Sequence, residues 1–277
     1  MTNNQQLHEL ALFAGDGGGI LGSEILGWRT MCAVERNAYA ASVLAQRQND
    51  GTIKPFPIWS DVESFDGRRW RGHIDIVSGG FPCQDISQAG RGAGIDGDKS
   101  WVWSHMARIT DEVRPTFVWV ENSQFLTRRG GARVLGDLAS MGYDAVWGVV
   151  GAAHAGAPQV RKRMWILAYA DCAWEPQQTE ARNEERNWSG HLRQDAPNSD
   201  EVFRHGWRIP EQVGRIWGQK KTQGDGYERG VLWPPESGVG RVADGVANRL
   251  DRINGLGNGQ VPGVVAMAWK ILQSIAQ

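Results

Sequence analysis

Four short stretches carry side chains whose types and spacing suit chemistry. In "SGGFPCQ", Cys83 stands between Pro82 and Gln84, just after an apolar run and two glycines. A cysteine at such a turn acts as a nucleophile when a neighbour favours its thiolate, and a buried inert cysteine is the competing reading. "FVWVENS" sets Glu121 and Asn122 at the end of another apolar run, where a carboxyl group could protonate a ring nitrogen or hold a structural hydrogen bond. "GAPQVRKRMWILA" places Arg161 and Arg163 in alternation ahead of a strand, so both point to one face. Such a pair serves a base carbonyl or a backbone phosphate, or else makes a solvated basic turn.

The fourth stretch, "LFAGDGGG", follows the first apolar run, and its glycines allow a tight turn and close approach to a ligand. Glu35 ends the second apolar run about twenty residues later, where a carboxylate can accept both ribose hydroxyls of a nucleoside. The FxGxGG spacing departs from GxGxxG and favours an adenosine-type cofactor over a dinucleotide. Asp61, in "IWSDV", is placed to accept from an adenine amino group, or is an ordinary loop aspartate.

These residues need a frame that brings them to one edge. Apolar, β-branched or aromatic runs, "ELALFAG", "TMCAVE", "HIDIVSGG", "TFVWVEN", "AVWGVVGA" and "RMWILAYA", alternate with helical stretches such as "AYAASVLAQRQ", "WVWSHMARITDEV" and "ARVLGDLASMG". This alternation predicts an α/β fold with a mainly parallel sheet covered by helices on both faces. Ligands of such sheets bind outside the carboxyl ends of the strands, where Cys83, Glu121 and the glycine turn all fall. The segment after about Asp171 is polar and poor in aliphatics, yet it keeps Trp174, Trp188, Trp207, Trp217 and Trp233 among Arg204, Arg208, Arg215, Lys220 and Lys221. It reads either as a loop-rich insert or as a nucleic-acid contact surface that orders on binding.

Composition narrows the classes. The formal net charge of −1 requires that any polyanion partner meet a local basic face. Three dispersed cysteines and six scattered histidines indicate no disulfide framework and no metal site, and a reducing, cytoplasmic compartment fits best. No run is long and apolar enough for a membrane helix.

The ordered series "FAGDGG", "VE", "SDV", "GGFPCQDIS", "VEN", "PQVRKR" and "GNGQV" resembles the cytosine-5 DNA methyltransferases, from about Leu10 to Ala170 and again from Leu256 onward. The resemblance implies a Rossmann-like methyltransferase fold that takes S-adenosyl-L-methionine as methyl donor. It places Phe13, Gly15, Asp16, Gly17, Gly18, Glu35, Asp61, Val62, Pro82, Trp101 and Asn258 around the donor. It makes Cys83 the nucleophile toward cytosine carbon-6, Glu121 the acid at ring nitrogen 3 and Arg163 the donor to the base carbonyl, with Arg161 on a phosphate or supporting the site. The implied organisation is a catalytic domain at 1–171, a target-recognition region at 172–240 and a C-terminal return at 241–277. The implied partner is double-stranded DNA, met by a monomer with or without a separate restriction nuclease. An RNA cytosine methyltransferase and a catalytically silent DNA-binding relative stand as alternatives.

Overall fold

Alternation along the strands decides which helices cover which face. In β1 (His8–Leu12), Leu10 and Leu12 join one core cluster while Ala11 joins another on the opposite side. In β5 (Phe117–Ser123), Val118 and Val120 face one way and Trp119 the other. The computed structural model describes residues 6–82, 101–157, 159–170 and 248–276. The remaining strands are β2 (Arg29–Val34), β3 (Ile58–Trp59), β4 (Ile76–Gly79), β6 (Tyr143–Gly151) and β7 (Lys162–Ala170), and all seven form one sheet in the order β3-β2-β1-β4-β5-β7-β6. The first five neighbours pair in parallel, whereas β7 runs antiparallel to both β5 and β6. The expected mainly parallel sheet is therefore present, with one reversed strand inside it.

Helices α3 (Trp101–Val113) and α4 (Gly131–Ser140) cover the first face through Trp103, Met106, Ile109, Val134 and Leu138. The other face receives α1 (Gly18–Ile25), α2 (Ala38–Asn49) and α6 (Pro262–Ala276), while α5 (Arg249–Asn258) leads into α6. Asn37 starts α2 by accepting the backbone N–H of Ala40 on its side chain, which satisfies one of the first-turn donors. Helix α6 packs on α1, β6 and β7, with Val265 against Gly22 and Trp269 edge-on to Trp28 and Trp119. Among the described residues no helix is long and apolar enough to cross a membrane.

A carboxyl group is buried in the frame. Glu9 of β1 is 1% exposed and accepts hydrogen bonds from the hydroxyls of Ser23, Thr30 and Ser78, which stand on α1, β2 and β4. Burial raises its pKa, and the three hydroxyls only partly offset that. A raised folded-state pKa means that the stability Glu9 confers is complete below the unfolded value and is lost as pH rises through the folded one. Between the two values the loss is about 1.4 kcal/mol per pH unit. Glu9→Gln should remove this slope, so that thermal melts from acid to neutral pH show the variant gaining on wild type as pH rises.

Candidate functional site

The carboxyl ends of β1, β2, β4 and β5 converge on the glycine turn. As β1 ends, Phe13 takes φ 54°, rare for a bulky residue, and Gly15 and Gly17 follow at 54° and 84°. The turn is tied to β2 by Ala14 N–H to the Val34 carbonyl at 3.2 Å and by Gly15 N–H to Glu35 Oε2 at 2.6 Å. The other Glu35 oxygen accepts Asn37 N–H at 2.7 Å. The carboxylate is thus fixed beside the turn, with lone pairs left for further donors. Asp61 lies just beyond β3, where Oδ1 accepts Glu63 N–H at 3.0 Å. Arg108 braces that loop from α3 by donating to the Val62 and Phe65 carbonyls at 2.8 and 2.9 Å.

Glu121 is 8% exposed near the end of β5. Arg163 stands opposite Ser123 in the antiparallel register, so it is the diagonal neighbour of Glu121, and its Nε lies 2.9 Å from Glu121 Oε1. Burial pushes the Glu121 pKa up, while Arg163, Arg161 and a hydrogen bond from the Gln260 side chain pull it partly back. The outcome is a carboxyl group that holds a proton more readily than an ordinary glutamate, as an acid catalyst requires. Next to it Asn122 donates from Nδ2 to the Phe81 carbonyl at 3.0 Å, which anchors the chain as β4 gives way to Pro82. Gly80 allows this approach: a Cβ there would fall 2.7 Å from Glu121 Oε2 and 2.8 Å from Gln260 Nε2. A cavity of about 20 Å³ runs beneath, with Glu9, Trp119, Glu121 and Gln260 in its wall.

The pair sets up a stability test. With side-chain exposures of 26% and 10% it is largely desolvated. Arg163→Met should therefore cost about 3 kcal/mol, because it strips a buried carboxylate of its partner. Urea midpoints should fall accordingly, and by much less in a Glu121→Gln background.

Phe13, Gly15, Asp16, Gly17, Gly18, Glu35 and Asp61 stand along the β1–β3 edge, and Glu121 with Arg163 follows beyond β4. Arg161 and Arg163, read as one face, both act on the charge of Glu121, but only Arg163 pairs with it at 2.9 Å. Arg161 precedes β7 and donates from Nη1 and Nη2 to the carbonyls of Gly257 and Gly259, at 2.6 and 2.7 Å, which ties it to the C-terminal turn. The Val62 side chain is buried in the core, and its carbonyl accepts from Arg108 Nη2. Asp16 packs against Gly255 of α5 and keeps a raised pKa through burial, eased by Arg47. Asn258 is exposed at the end of α5, whereas Gln260 reaches the site. Cys83, the side chain of Trp101 and the whole 172–240 region lie outside the described residues. No cluster of three potential metal ligands occurs among the described residues.

A family model described as C-5 cytosine-specific DNA methylase matches residues 7–252. Among curated relatives, the type II methyltransferase M.PspPI of Psychrobacter sp. is 33% identical over 162 residues, covering 56% of this chain and 38% of that protein. M.NgoBI of Neisseria gonorrhoeae is 32% identical over 164 residues, covering 58% of this chain and 50% of its own. The matched part of the chain thus spans half or less of these relatives. Among solved structures, the Dnmt2 methyltransferase of S. pombe aligns over 98% of this chain and 100% of its own at 16% identity, with a TM-score of 0.57. The Entamoeba histolytica methyltransferase EhMeth aligns over 99% and 100% at 13% identity, with a TM-score of 0.60. These two likenesses concern the fold.

Proposed function

The chain belongs to the C-5 cytosine-specific DNA methylase family, and on that premise we propose that it transfers a methyl group from S-adenosylmethionine to carbon-5 of cytosine within a specific DNA sequence. The observation that carries this reading is the buried Glu121–Arg163 pair, held beside the strand end from which the chain passes into Pro82 and Cys83.

Cytosine carbon-5 is a weak nucleophile. The Cys83 thiolate adds to carbon-6, and the ring electrons move onto carbon-5 as Glu121 passes a proton to ring nitrogen 3. Arg163 keeps Glu121 oriented and can donate to the base carbonyl through its remaining N–H groups. Carbon-5 would then take the methyl group from a sulfonium donor, which would supply it by departing as a neutral thioether. Water, as base, takes the carbon-5 proton, the freed electron pair restores the carbon-5–carbon-6 double bond as Cys83 leaves as thiolate, and the nitrogen-3 proton returns to Glu121. The base must leave the duplex for this to happen. S-adenosylmethionine is the co-substrate, and the residues present fit it: a positive-φ turn after β1 stands next to the fixed Glu35 carboxylate, with Asp61 at the end of the neighbouring strand.

Residues 1–171 with 241–277 would form the catalytic unit and 172–240 the target-recognition region. The test is transfer of labelled methyl to unmethylated DNA of mixed sequence and, in parallel, to RNA of the same sequence. We expect label in 5-methylcytosine of the DNA. Label confined to RNA, or none from protein that binds the donor, would overturn the reading.

A further inference from the structure

Gln260 takes no part in the steps above, yet it touches both halves of the site. Its carbonyl oxygen lies 2.2 Å from where a Cβ on Gly18 would stand, and its Oε1 lies 2.9 Å from the same position on Gly19. On the other side, its Nε2 lies 2.8 Å from the Cβ position of Gly80, and its side chain hydrogen-bonds to Glu121. The turn that carries it is gripped by Arg161 at Gly257 and Gly259. A closed ring of contacts therefore runs from Arg161 through Gly259 and Gln260 to Glu121 and Arg163, and back along the chain to Arg161.

From this ring we infer that Gln260 is the positioning residue for Glu121, tying the orientation of the acid to the glycine turn that receives the methyl donor. The inference rests on the methyltransferase reading. A carboxyl group gripped by Arg163 alone keeps freedom to turn about its last bond, and a second donor removes that freedom. The amide also favours the ionised form, so its loss makes Glu121 hold its proton to higher pH. The charged groups acting on Glu121 are Arg163 and Arg161, and Glu9 shares its cavity. By linkage, a donor that orders the glycine turn alters the proton affinity of Glu121 through Gln260, and pH alters donor affinity in return.

The test compares wild type with Gln260→Met, which keeps the length and loses the amide. Gln260→Asn keeps an amide one carbon short and serves if the first variant does not fold. Single-turnover methyl transfer is followed from about pH 6 to 9 at saturating donor and DNA. S-adenosylhomocysteine binding is titrated over the same range. The expected result is a rate about tenfold lower at neutral pH and an alkaline limb displaced upward. The wild-type Kd should change about threefold across the range and the variant's should stay flat. An unchanged rate overturns the inference. So does a fall in rate with a superposable pH profile and an unchanged Kd profile, because that is a merely structural role. Wild type that binds S-adenosylhomocysteine but transfers no methyl group sinks the methyltransferase reading first, before any variant is compared.

Discussion

Replacing Cys83 with alanine should lower methyl transfer by about 10⁴-fold or more, while leaving S-adenosylmethionine affinity within about twofold. The size follows from the chemistry. Without addition to carbon-6 the aromatic ring offers carbon-5 no usable electron pair. The Asn122–Phe81 bond and the contact of Gly80 with Glu121 hold the preceding residues from β4 and β5. The glycine turn and Glu35, proposed to hold the donor, lie at the ends of β1 and β2. A second readout is covalent. DNA with fluorine at cytosine carbon-5 has no proton to lose there, so wild type should remain bonded to the strand after methyl transfer and migrate as a heavier species in denaturing gels. Cys83→Ala should show none. Transfer by the variant at a rate near that of wild type would remove Cys83 from the mechanism.

Glu121→Gln should cost about 10²- to 10⁴-fold in single-turnover rate, the span of a positioned general acid. Glutamine fills the same space and still accepts from Arg163 Nε, so the loss reports the proton rather than the fold. The pH profile separates the two. Burial raises the Glu121 pKa, so its acid form persists toward neutrality and the wild-type rate falls as pH climbs through that value. The glutamine variant has no proton to lose, and its residual rate should show no limb in that region. A limb that survives would assign the titration to another group.

The frame was readable because each strand and helix announces itself locally. "WVWSHMARITDEV" has the spacing of an amphipathic helix and forms α3 over the same residues, Trp101–Val113. "TFVWVEN" has the content of a buried strand and forms β5. The insertion of β7 between β5 and β6 is not readable in this way. Alternation marks a strand but says nothing of its neighbour or direction, which long-range pairing decides. The site divides along the same line. Glu121 and Glu35 follow from their place at strand ends, whereas the partners of Arg161 lie 96 and 98 residues away. Gln260 stands within "GNGQV", but nothing local marks its link to Gly18, Gly80 and Glu121, all distant in the chain. Glu9 hides in an apolar run because its three hydroxyl partners come from three other elements.

Helix α6 completes the sheet face that α1 begins, so the two ends of the fold clasp each other across everything between β7 and α5. For a chain segment closed by such a clasp, the entropy of closure grows only with the logarithm of its length, and doubling it costs about 0.6 kcal/mol. The clasp is therefore nearly indifferent to how many residues pass between Ala170 and Arg249. Segments of quite different length could be grafted there at little cost to the seating of α6 on the sheet.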